Sequence, residues 1–120
     1  MKTAIIVLSD PKSNTEEALG RGFNALASAL EYKSAGQTVQ LLFAGTGTRW
    51  PALLNQAAHP AHALYRQVLD TVVGVSCGCT DVFGADDQGL ARLTANAVPG
   101  TTGFSSLLGL QRDGFQVLTF

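Results

Sequence analysis

The chain has 120 residues, eight basic and nine acidic, and a net charge of −1. That length suits one domain over residues 1–120, long enough to bury a core without staples. Charged residues make up 14%, against about 25% in a typical soluble domain, so part of the surface is expected to be covered by another copy in a homo-oligomer. No clustered basic footprint marks a nucleic-acid partner. No apolar stretch long enough for a membrane span and no leader pattern is visible, which makes the cytoplasm the expected compartment.

In chain order, Thr3 to Leu8 is a continuous apolar run of the kind that forms a strand covered on both faces. Leu19, Phe23, Leu26 and Leu30 then recur at helical spacing, with Asn14 and Glu17 as a capping pair and Gly36 as the stop. Val39 to Ala44 is a second buried strand, which predicts a right-handed βαβ crossover. A loop at 45–48 leads to a short helix from Trp50 to Gln56, and Pro60 suits the first turn of another carrying Leu64, Val68 and Leu69. Val72 to Val75 is a third strand. Asp86 or Asp87 is expected to cap a helix bearing Leu90 and Leu93, and Ala97-Val98 to form a short strand. Phe104 to Leu110 reads as a helix ended by Gly114, and Phe115 to Phe120 as the closing strand. The alternation predicts an α/β fold: an open, mostly parallel sheet of four to five strands with helices on both faces.

In such sheets ligands bind where loops leave the carboxyl ends of strands. Three loops qualify: 9–14, 45–50 and 76–83. The third holds Ser76-Cys77-Gly78-Cys79. A cysteine between a buried strand and a helical turn lies near free N–H groups, a setting that favours thiolate over thiol. Thiolates attack disulfides and accept sulfane sulfur. Either cysteine can equally serve as a small core hydrophobe. The Cys-x-Cys spacing is not the redox Cys-x-x-Cys spacing, and no resting bridge is expected across it.

The stretches AIIVLSDP, FNALASALEYKSAG, VQLLFAGTGTRW, HPAHALYRQV, VSCGCTDVFGA and GFQVLTF cover nearly the whole chain. In order and spacing they resemble the DsrE/DsrF family, which includes sulfur-relay subunits. The resemblance implies a flavodoxin-like sheet, assembly into trimers or hexamers, and in active members a persulfide-carrying cysteine near the end of a central strand. Cys79, followed by Thr80, Phe83, Gly84 and Ala85, matches that frame. Many relatives have a second cysteine three residues earlier, where this chain has Ser76; Cys77 is out of frame. The resemblance therefore implies a one-cysteine carrier at Cys79, with Cys77 a doubtful helper, and a sulfur donor or acceptor protein as partner.

Two other chemistries compete with it. Ser9, Ser13, Asn14 and Thr15 between the first strand and helix offer hydroxyls and N–H groups to a phosphate or nucleotide, and Asn14-Thr15-Glu16 is similar to the phosphate loop of flavodoxins. His59 and His62 with Cys77 and Cys79 supply four zinc-ligating types, but the cysteines are too close for the usual spacing, so no metal or other cofactor is expected. Thr46, Trp50 and Ser76 are candidates to line the pocket between the loops, Trp50 being equally suited to the core or an interface. A non-catalytic oligomeric binding or assembly protein of the same fold is the alternative to sulfur handling.

Overall fold

A computed structural model describes residues 1–93, 99–101, 103 and 105–120. The strand expected at Ala97-Val98, and Phe104, lie outside them. The strands are β1 (Lys2–Val7), β2 (Thr38–Phe43), β3 (Val72–Ser76), β4 (Arg92–Leu93) and β5 (Phe115–Thr119). The helices are α1 (Glu16–Ser34), α2 (Trp50–Leu54), α3 (His62–Val68), α4 (Cys77–Val82) and α5 (Leu107–Arg112). All strand pairs are parallel, in the order β4-β3-β2-β1-β5. No helix among the described residues is long and apolar enough to cross a membrane.

The apolar runs of β1 and β2 are legible because both faces of the central strands are covered. Ile5, Val7, Leu41, Phe43 and Val75 point to one face, where Leu26 of α1, Leu54 of α2, and Tyr65 and Val68 of α3 close over them. Ala4, Ile6, Leu42 and Phe115 point to the other, packed against Leu110 of α5. Helices thus lie on both faces of the sheet.

Three local expectations need correction. The cap of α1 is Thr15, whose Oγ1 accepts from the Ala18 N–H at 3.1 Å. Asn14 is instead left-handed, at φ 54°, closing the tight turn Pro11–Ser13; a residue in that conformation does not offer the extended backbone an N-cap needs. The helix expected after Asp86-Asp87 does not form. The two carboxylates accept from the N–H groups of Gln88 and Gly89, each at 2.9 Å. These side-chain turns carry the chain through left-handed Gln88 (φ 53°) and Gly89 (φ 78°), which stops helix nucleation. Leu93, expected on that helix, sits in β4 opposite Ser76. Pro60 lies in the turn ahead of α3 rather than in its first turn.

Candidate functional site at the carboxyl edge of the sheet

The loops after β1, β2 and β3 converge and are bolted to one another. Glycine is required at position 47, because a Cβ there would run into the carbonyl of Val7. That close approach lets Thr46 Oγ1 donate to the Leu8 carbonyl at 3.1 Å. The Asp10 carboxylate accepts from Arg49 through both oxygens at 3.0 Å. Burial pushes the Asp10 carboxyl up, but the Lys12 N–H and the Arg49 guanidinium outweigh it and hold it below its usual range. Trp50, 2% exposed, donates its indole N–H to the carbonyl and hydroxyl of Ser9 at 3.0 and 3.2 Å. The Arg49 guanidinium also lies 5.4 Å from the centre of the Phe83 ring, joining the second loop to the third.

The third loop is tightly built. Ser76 is fully buried, and its hydroxyl donates to the Gly103 carbonyl, which also accepts from the Gly78 N–H at 3.3 Å. Thr80 Oγ1 donates to the Ser76 carbonyl at 2.7 Å. Both cysteines are free thiols; Cys77 is half-buried and Cys79 buried, with 6% of its surface exposed. Beside them Arg92 of β4 donates to Asp87 and to Asp81 of α4, each at 2.8 Å. Asp87 first, then Asp81, hold Arg92 further above its ordinary value, and Asp81 lies one helical turn after Cys77 in α4.

The model of the DsrE/DsrF-like family matches residues 1–120, the whole chain. The chain belongs to the DsrE/DsrF-like family. Neither the curated proteins nor the solved structures give a match. In this DsrE/DsrF-like domain Cys79 lies in α4 with its side chain buried, and Cys77 opens the same helix half-buried.

The remaining candidates of the sequence lie apart from the cysteines or are spent on internal bonds. Ser13 Oγ donates to the Asp10 carbonyl at 2.8 Å and lies 3.1 Å from Thr15 Oγ1. The Lys12 N–H is taken by Asp10 at 2.9 Å. Ser9, Ser13 and Thr15 line a shallow pocket of about 340 Å³ whose wall also carries Asp10, Glu17 and Arg21, with Arg21 paired to Glu17 at 2.7 Å. Two carboxylates in that wall oppose a phosphate. Asn14, Thr15 and Trp50 border a separate groove of about 440 Å³ with Pro11, Leu53 and His59.

His59 Nδ1 accepts from the Ala61 N–H at 3.0 Å, and its ring meets that of Trp50 edge to face. Desolvation first, then the neighbouring His62, lower its pKa. His62 Nδ1 lies 2.7 Å from the Leu54 carbonyl, to which it donates. Among the described residues no three His, Cys, Asp or Glu side chains gather to hold a metal ion. Sequence reasoning missed Arg49 and Arg92, the two cations that organise this edge. Their carboxylate partners are 39, 5 and 11 residues away, and no local pattern announces such pairings.

Proposed function

We propose that this domain accepts sulfane sulfur as a persulfide on the cysteine pair at the end of β3 and passes it to a partner thiol. The observation that carries the reading is the place of two free thiols, two residues apart, at the carboxyl end of an inner strand in a DsrE/DsrF-like chain. The step is a sulfur transfer without net redox change. A cysteine thiolate attacks the outer sulfur of a donor R–S–SH, the donor S–S bond breaks, and R–S⁻ leaves to take up the proton the cysteine gave up. The family frame marks Cys79 as the carrier; exposure makes Cys77 the first thiol a donor meets. The pocket-lining roles of Thr46 and Ser76 belong to this reading as supports of the loop, since each is bonded to a neighbouring carbonyl.

Incubation with a polysulfide followed by intact mass measurement tests the reading. The protein is expected to gain sulfur that dithiothreitol removes, and the Cys77→Ser/Cys79→Ser double variant to gain none. A protein that takes up no reducible sulfur would overturn it and leave the non-catalytic assembly reading.

The domain is further proposed to work as a homo-oligomer, trimers or hexamers being what the family resemblance implies. Leu107 and Leu108 on α5, 47% and 55% exposed, are apolar surface available to such a contact.

A further inference from the structure

We infer that Cys77, rather than the in-frame Cys79, is the thiol that receives sulfur, and that Arg92 is the residue that positions and charges its surroundings. The inference rests on the sulfur-handling reading and assigns its acceptor atom.

Three observations lead there. Nucleophilic attack on a persulfide needs the attacking sulfur in line with the S–S bond of a donor arriving from solvent. Cys79 is 6% exposed, packed inside α4, and presents no such approach in this chain. Cys77, at the start of the same helix, is half-buried and reachable.

The second observation is the cation. Arg92 stands in β4 opposite Val75 of β3, one residue from the strand end that leads into Cys77. Its guanidinium is oriented by two carboxylates, Asp87 through Nε and Asp81 through Nη1, and Asp81 follows Cys77 by one helical turn, so the guanidinium is anchored on the face of α4 that carries Cys77. A guanidinium is planar with donors in fixed directions, so two anchors leave its orientation determined. A positive charge held beside a sulfur stabilises that sulfur while it carries negative charge, as the attacking thiolate and later as the persulfide anion.

The third is the rigidity of the loop. Ser76 is bonded through its hydroxyl to Gly103 and through its carbonyl to Thr80, and the Gly78 N–H is bonded to Gly103 as well. The residues flanking Cys77 on both sides are therefore fixed while its own side chain remains only half-buried. Asp81 and Asp87 act through Arg92 and touch no sulfur in this scheme.

The test separates this inference from the reading beneath it. Single variants Cys77→Ser and Cys79→Ala are treated with sodium tetrasulfide, and persulfide is located by blocking and peptide mass analysis. Cys79→Ala is expected to load as the wild type does, and Cys77→Ser to lose loading. If Cys77→Ser loads fully and Cys79→Ala does not, the inference is overturned while sulfur handling stands; if the wild type itself fails to load, both fall. For Arg92, loading rates of Arg92→Gln and Arg92→Lys are compared, with thermal melting to confirm that β4 is retained. Arg92→Gln is expected to slow loading of Cys77 by roughly two- to fivefold, the scale of a partly exposed charge interaction, with Arg92→Lys in between. Equal rates for all three folded proteins would remove Arg92 from the scheme. Should Arg92→Gln melt early, the salt dependence of wild-type loading serves instead: loading that does not slow at high salt contradicts the role of the cation.

Discussion

Two glycines in α1 should respond to the same substitution with opposite signs. Gly20 and Gly22 both lie inside the helix, where replacing glycine by alanine normally stabilises by about 0.5–1 kcal/mol. At Gly20 a new Cβ would find no atom within 4 Å, so Gly20→Ala should deliver that gain. At Gly22 the Cβ would lie 2.7 Å from Cζ2 and 2.9 Å from Cη2 of Trp50. Real carbon contacts do not occur at such distances, so the ring or the helix must move.

The indole has little freedom to retreat. It is 2% exposed, its N–H is bonded to Ser9, and the gap it shares with Val7, Phe43 and Leu54 is too narrow for a water molecule. Overpacking of this kind costs about 1–3 kcal/mol. Set against the helix gain, Gly22→Ala should be about 1–2 kcal/mol less stable than the wild type, and about 2–3 kcal/mol less stable than Gly20→Ala. Urea unfolding followed by tryptophan fluorescence reads the difference, and thermal melting should separate the two variants by roughly 8 °C. A Gly22→Ala protein as stable as Gly20→Ala would show that Trp50 does not pack on α1 in this way.

Two titrations probe the bolts between loops. Asp10→Asn removes the charge facing Arg49 and should cost about 1–2 kcal/mol near neutral pH. Because the Asp10 carboxyl is held below its ordinary value of 3.8, its contribution is present above that pH and fades as pH falls through the lower folded value. The deficit of the variant should therefore close in urea titrations run at successively lower pH, and a gap that persists in strong acid would argue against the ion pair. His59 has a folded pKa below its ordinary 6.5, so its neutral form is favoured by folding and stability should fall as pH drops through 6.5. His59→Asn keeps an acceptor for the Ala61 N–H but cannot titrate there; an unchanged slope between pH 7 and 5 in that variant would assign the effect to another group.

The inner strands were legible because burial on both faces leaves a mark in one dimension. TAIIVL and VQLLFA have no polar alternation to confuse them, and the helix period of α1 shows in Leu19, Phe23, Leu26 and Leu30. Errors came where a side chain competes with the backbone. Asp86 and Asp87 look like helix caps, yet each bonds the N–H two residues on and sends the chain into β4 instead. A two-residue strand carries no periodicity, so nothing in the sequence singled out Arg92 or its pairing with β3. Thr15 displaced Asn14 as the cap of α1 for a related reason: the preceding turn spends Asn14 on a left-handed link.

The cysteine loop shows where a linear frame stops being informative. Position relative to Thr80, Phe83 and Gly84 led to the expectation that Cys79 is the family's cysteine, but frame carries no information on which thiol is the more exposed. That depends on the phase of α4, which begins at Cys77 because Ser76 is still extended and paired in β3. In a helix two residues span about 200°, so side chains two apart point to opposite sides; if one thiol turns inward, the other must turn out. Cys79 takes the inward place. The face of α4 that carries Cys77 also carries Asp81, which holds Arg92 together with Asp87, a residue that looked, in one dimension, like an ordinary helix cap.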